Sequence, residues 1–311
     1  MRPYVGIDVS RAELVVAVRP SQQTARYANS AAGHQQLISR VQAVAPLRIV
    51  VEGTGGYERQ VVMSLQEAGL PVVVVNPRQV RDFAKGIGKL AKTDPIDAGV
   101  LAHYAQVVES AEPVRLSANE RALQDLVGRR RQLRDMRTAE LNRRDHLSEW
   151  TRPSWERMMV FLQEELVTIE AEIAAVMRHD ALLHQKATQL QTVPGIGPIV
   201  SATVLGRLPE IGRVSNKAIT ALSGLAPYTI HSGTARERAM IRGGRSDVRS
   251  ALYVATMTAK RWNPVIRDFY DHLLAAHKPH KVVMIACARK LLVILNAMVR
   301  DGTSWNAEVA N

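Results

Sequence analysis

Along the first hundred residues, short apolar runs alternate with stretches of helical spacing. Tyr4–Val9 and Leu14–Val18 have the length and apolar content of strands, and the polar turn Ser10–Glu13 between them predicts a hairpin. A helical pattern over Gly33–Val44 leads to a strand over Leu47–Glu52, a glycine-rich turn, a helix over Tyr57–Ala68 and the strand Val72–Val75. This alternation predicts a mixed sheet covered by helices. Beyond Asn76-Pro77 the chain becomes polar and glycine-bearing through Lys85–Lys89, and a helix restarts at Asp94-Pro95 with Thr93 or Asp94 as its cap.

From Ser117 to Gln189 the pattern turns helical, and Leu162, Leu166, Ile169, Ile173 and Val176 keep the 4, 3, 4, 3 spacing of a helical hairpin or coiled coil. Pro153 is expected at the bend between its arms. A third section opens on Val193-Pro194-Gly195-Ile196-Gly197-Pro198 and ends in helices over Ser246–Lys260 and Lys281–Val299. The expected boundaries are 1–112 for the α/β domain, 113–190 for the helical coiled-coil spacer, 191–302 for a mainly α domain, and 303–311 for a tail.

Composition narrows the function classes. With 311 residues and 46% apolar content the chain can bury a substantial core, which excludes a disordered tail or a small stapled scaffold. A net charge of +12 makes a polyanion the first partner to consider. The single cysteine, Cys287, lies in an apolar run, so one chain can build neither a disulfide framework nor a thiolate metal site. No uninterrupted apolar stretch is expected to approach membrane-spanning length and no signal region leads the first strand, which places the protein in the cytoplasm, away from membranes.

Against this basic background, four carboxylates stand out. Asp8 and Glu52 end apolar strands, and Asp94 and Asp97 share one face of a helix's first turn at i, i+3 spacing. Asp94 taken alone reads equally well as a helix cap. Together the four are hard oxygen donors of the kind that hold divalent metal, Mg²⁺ or Mn²⁺, on a phosphate. Seven arginines fall within sixteen positions, among them Arg129, Arg130, Arg131, Arg134 and Arg137, and suit phosphate contact as well as a solvated face. Gly195 and Gly197 in the Pro-Gly turn fit a helix-hairpin-helix element whose amides approach phosphate, or a simple tight turn. Arg242, Arg245 and Arg249 form a second basic segment.

An early-strand Asp, a Glu about forty positions later and a D-x-x-D helix about forty further on reproduce the layout of an RNase H-like nuclease domain of the RuvC type. The motifs G-I-D-V-S, V-E-G-T-G-G-Y-E and K-T-D-P-I-D-A, followed in order by V-P-G-I-G-P, L-S-G-L-A-P, H-S-G-T and R-S-A-L-Y, resemble the DEDD insertion-sequence transposases related to the Piv DNA invertases. The resemblance covers nearly the whole chain. It departs from the pattern at Gly244-Arg245, where the family commonly has Gly followed by Asn.

The resemblance implies a transposase that cuts and rejoins donor and target DNA, with the four acids in the RuvC-like half and a serine nucleophile at Ser232 of His231-Ser232-Gly233. A structured bridge RNA, a homodimer or tetramer, and a nucleoid-associated prokaryotic setting are further implications of the resemblance, as is delivery of the serine by a second subunit. From the residues alone, Ser232 reads as a turn and His231 as no more than a neighbouring base candidate. Two other functions therefore stay open: a metal-dependent, structure-selective nuclease using water, and a noncatalytic nucleic-acid-binding scaffold on a nuclease-like fold.

Overall fold

Strands Tyr4–Val9 (β1), Glu13–Arg19 (β2) and Gln23–Ala28 (β3) form an antiparallel meander, and Arg48–Glu52 (β4) and Val72–Val75 (β5) extend it in parallel from β1. The resulting order, β3-β2-β1-β4-β5, is that of the RNase H-like fold. In this computed structural model residues 2–53, 55–91, 93–108, 116–230 and 238–307 are described. The chain divides into two compact units, Met1–Arg115 and Leu116–Asn311.

The strand β3 escapes the hydrophobic pattern. Its sequence Gln-Thr-Ala-Arg-Tyr-Ala has no apolar run, as fits an edge strand most of whose side chains lie in solvent. Arg26 there reaches Glu13 of β2 at 2.5 Å. The helix Pro77–Gly86 (α3), in the stretch read as polar and glycine-bearing, is set by the Asn76 side chain accepting from Arg78 N and by Pro77 in the first turn.

The period of two along each strand sorts its side chains between two layers. Val5, Ile7, Val9, Ile49 and Val51 point toward Ala31–Val44 (α1) and Arg59–Glu67 (α2) and share a core with Leu37, Val41, Val61 and Leu65. The opposite face carries Val15, Ala17 and Val50 against Asp94–Val107 (α4), through Ala98, Leu101, Ala102 and Tyr104. A Cβ on Gly6 would collide with the backbone of Ala98, Leu101 and Ala102, so the missing side chain is what lets α4 lie directly on β1.

Burial leaves two histidines of this unit below their ordinary pKa. His34 is 3% exposed and hydrogen-bonded through Nε2 to Asn29 Oδ1 at 2.8 Å. Its pKa is lowered by burial alone, while that of His103, edge-on to Phe83, is lowered by burial and then by Arg19. The unfolded chain therefore takes up these protons at a higher pH than the folded one. The stability each contributes is complete above the unfolded value, about 6.5, and is lost as the pH falls below it. The thermal midpoint is expected to drop between pH 7.5 and 5.5, and less steeply in His34→Asn. An unchanged slope in that variant would contradict the assignment.

The second unit is built from Ala118–Arg143 (α5), Arg152–His179 (α6), Ala181–Gln191 (α7), Pro198–Arg207 (α8), Asn216–Leu222 (α9), the strands Pro227–Ile230 (β6) and Arg238–Ile241 (β7), and the helices Ser246–Trp262 (α10), Pro264–Ala275 (α11) and His280–Asp301 (α12). A capping box between Ser117 and Glu120 starts α5. The bend between α5 and α6 occupies a 3-10 turn at Arg144–His146 and the residues after it, with Pro153 inside the first turn of α6. Leu133 packs against Leu162, Leu166 and Ile169 as the heptad spacing requires. One core runs from Leu123 and Ile173 through Leu205 and Leu252 to Leu295, joining the base of the helical hairpin to the helices after it.

The helix α12 is long and apolar enough by length and composition to cross a membrane, although Arg289 and Lys290 interrupt its apolar run. Its apolar character has a packing explanation, since Val283, Cys287, Leu291, Leu292 and Leu295 are fully buried in the core. Burial also pushes the Cys287 thiol up to about 11, against the opposing pull of Lys290 and Lys260, which leaves it inert.

Candidate active site

The parallel pairing of β1 and β4 runs Tyr4 with Arg48 through to Ile7 with Val51, so the next step along both strands sets Asp8 beside Glu52. Neighbouring strands lie about 4.8 Å apart. By alternation Asp8 follows Gly6, and Glu52 follows Val50, onto the face that α4 covers. Asp97 directly precedes Ala98, whose carbonyl abuts Gly6, and its amide donates to Thr93 O at 2.8 Å. The sheet therefore brings two carboxylates side by side, and the first turn of α4 carries Asp97 onto the same face.

Asp94 stands one turn earlier and is exposed, whereas Asp97 is half-buried. The structure assigns the cap position to Thr93, whose side chain makes no capping hydrogen bond. Among the described residues no three Asp, Glu, His or Cys side chains form a ready-made metal cage. The backbone converges, and the donor set is all hard oxygen, the type Mg²⁺ and Mn²⁺ prefer.

In the second unit the arginine stripe is more neutralised than its own sequence suggests. Arg130 pairs with Glu170 of α6 at 2.7 Å, Arg131 lies 3.5 Å from Asp135 and 3.8 Å from Asp247, and Arg134 lies 3.5 Å from Asp135. Arg129 reaches Gln132, and among the described residues Arg137 Nε is buried without a hydrogen-bond partner. Glu170 and Asp247 come from distant positions, so counting acids within the stripe could not reveal them.

Gly195 has a different role from the one its motif suggests. At φ 103° its open side faces Ala255 and Ala259 of α10, so the absent Cβ is what lets that helix pack close. Gly197 has open space around it and precedes α8 as its N-cap.

Arg245 and Arg249, expected on nucleic acid, turn inward. Arg245 makes a two-pronged pair with Glu210 at 2.6 and 2.7 Å, and its amide donates to Leu222 O. Arg249 Nη1 donates to the carbonyls of Gly243 at 2.9 Å and Gly224 at 3.3 Å, while Asp247 is bound by Arg207. These bonds tie the start of β6 to the end of β7. Arg242 alone of the three is exposed. Ser232 and His231 fall between β6 and β7 in the chain and lie outside the described residues.

Two family models match this chain: one for a transposase over residues 5–150, and one for the IS116/IS110/IS902 transposase family over residues 187–271. The chain belongs to this transposase family. Its members are enzymes that cut and rejoin DNA, and the matched regions contain the four acids, the Pro-Gly turn and the β6–β7 segment.

The transposase is also similar along its full length to the pilin gene-inverting proteins of Moraxella bovis and Moraxella lacunata, each 25% identical over 99% of both chains. A 43.6 kDa protein of insertion element IS110 from Streptomyces coelicolor is 28% identical over 50% of this chain and 38% of its own. Among solved structures, Thermus thermophilus RuvC is 18% identical and covers 36% of the transposase and 99% of RuvC, with a TM-score of 0.29. The RNase H-like assignment rests on the strand order of the first unit and not on that likeness.

Proposed function

We propose that this transposase cuts DNA by direct attack of the Ser232 hydroxyl on a scissile phosphate, with Asp8, Glu52, Asp94 and Asp97 holding Mg²⁺ or Mn²⁺ at that phosphate. The observation that supports this most is the β1–β4 register, which sets Asp8 beside Glu52 under the helix that carries Asp97. A divalent cation bound there would neutralise charge on the phosphoryl oxygens. The carboxylates supply its oxygen ligands, and the helix N-terminus beneath Asp94 and Asp97 favours their negative charge.

In the attack the serine oxygen forms a bond to phosphorus and loses its proton, the bond from phosphorus to one deoxyribose oxygen breaks, and that oxygen takes up a proton as it leaves. The phosphodiester so formed keeps the bond energy, and a deoxyribose hydroxyl of a second DNA end reverses the step to rejoin the strands. Neither half of the exchange requires an external energy source. The acids and the serine belong to different units of the chain, and the pilin gene-inverting relatives, matched over their whole length, support an inversion or insertion outcome.

A structured guide RNA, a dimeric or tetrameric assembly, and action on donor and target DNA in the cytoplasm complete the reading, supported by the family and by the +12 net charge. The test is a recombination assay on labelled donor and target DNA. Removal of divalent metal with EDTA is expected to stop both cleavage and protein-DNA adduct formation, and Mg²⁺ or Mn²⁺ to restore them together. Full cleavage in EDTA would overturn the metal assignment, and digestion of copurified RNA without loss of recombination would overturn the guide.

A further inference from the structure

The hairpin formed by β6 and β7 exposes a face that none of the residues discussed so far uses. Tyr228 and Met240 are direct cross-strand partners, so their side chains stand on one face as neighbours, about 5 Å apart at Cβ. Both project into solvent, Tyr228 at 48% and Met240 at 58% exposure. Arg242, two residues beyond Met240 and immediately after the end of β7, is exposed, while Ile241 between them is half-buried.

The base of this hairpin is held rigidly. Gly224 and Gly244 touch backbone to backbone, Arg249 bonds the carbonyls of Gly224 and Gly243, and Arg245 is locked to Glu210. With Arg245 and Arg249 committed inward, Arg242 is the cation of the three left for a ligand. An aromatic ring and a thioether paired across two strands, with a guanidinium at their edge, offer a flat apolar platform beside a positive charge. An unpaired nucleobase with its own phosphate has the complementary form, a π-face next to an anion.

We infer that Tyr228 and Met240 form a stacking platform for an unpaired DNA base, with Arg242 on the adjoining phosphate. The inference rests on the proposed DNA-cutting function, since the platform flanks residues 231–237, where Ser232 falls in the chain. It gives the strand exchange a way to hold a base that has left its duplex while the neighbouring phosphate reacts. Tyr228 and Met240 carry no sequence signal of their own. A single tyrosine in a Pro-Tyr-Thr-Ile run becomes informative only when its cross-strand partner and exposure are known.

The test uses the full chain in the Ser232→Ala form, so that binding is read without chemistry. The probe is a DNA duplex with 2-aminopurine in a short unpaired stretch, compared with the same duplex fully paired and with an RNA strand of the same sequence. Binding is expected to quench the unpaired 2-aminopurine. Tyr228→Ala is expected to abolish the quench and weaken affinity for the unpaired probe roughly tenfold or more, with the paired duplex and the thermal midpoint unchanged. Tyr228→Phe is expected to restore both, and Arg242→Gln to reduce the salt dependence of binding by about one phosphate contact.

Equal affinity of wild type and Tyr228→Ala for the unpaired probe would overturn the inference, as would equal losses on the paired duplex or preferential binding of the RNA strand. None of these results bears on whether Ser232 becomes linked to DNA in the unmodified protein, so the two proposals fail separately.

Discussion

Replacing Asp8 with Asn is expected to abolish DNA strand cleavage while leaving DNA binding intact. The substitution keeps the size and hydrogen-bonding shape of the side chain on β1 but removes one of the two negative charges that the strand register places side by side. The α4 face behind it is unchanged, so the unit should fold as before. Loss of a group that stabilises charge in a phosphoryl or acyl transfer lowers rates by about 10²–10³-fold or more. Both the cleaved product and the protein-DNA adduct should fall together in single-turnover assays. Wild-type cleavage by this variant, with unchanged recombination, would remove the case for metal-supported catalysis and leave a noncatalytic scaffold.

Gly6→Ala is expected to damage the same site by an unrelated route. The new methyl would enter the backbone of α4 at Ala98, Leu101 and Ala102, and a helix backbone cannot retreat as a flexible side chain can. Forced overpacking of this kind costs about 1–3 kcal/mol, and more where backbone is the obstacle. To relieve it, α4 must lift from β1 and take Asp97 away from Asp8 and Glu52. The urea midpoint should therefore fall together with cleavage, whereas Asp8→Asn should lower cleavage alone. A Gly6→Ala protein of wild-type stability would mean that α4 does not rest on β1 in this way.

The alternation of apolar runs made most of the first unit legible, because β1, β2 and β4 are largely buried strands and β5 is an all-valine run, so their pattern survives without context. The carboxylates were legible for a related reason: a charged residue ending an apolar strand is conspicuous. What the pattern missed was the edge strand β3, whose polar residues follow from its exposure, and the hairpin β6–β7, too short at four residues each to show a period. The arginines misled most. Arg245 and Arg249 read as phosphate ligands until Glu210 and the carbonyls of Gly224 and Gly243 appear beside them. Glu210 and Gly224 lie 35 and 25 residues away, and no local window joins them to these arginines. Gly195 belongs to the same class, since a glycine serves a phosphate and a packed helix equally well, and only α10 decides between them.

The most direct measurement is to trap the transposase on end-labelled DNA with Mg²⁺, denature it, digest the adduct with nuclease and protease, and locate the nucleotide-bearing peptide by mass spectrometry. The account predicts a nucleotide on Ser232, no adduct in Ser232→Ala, and no cleavage in that variant. Cleavage that survives Ser232→Ala without any adduct would contradict it, and would show water to be the nucleophile of a metal-dependent nuclease.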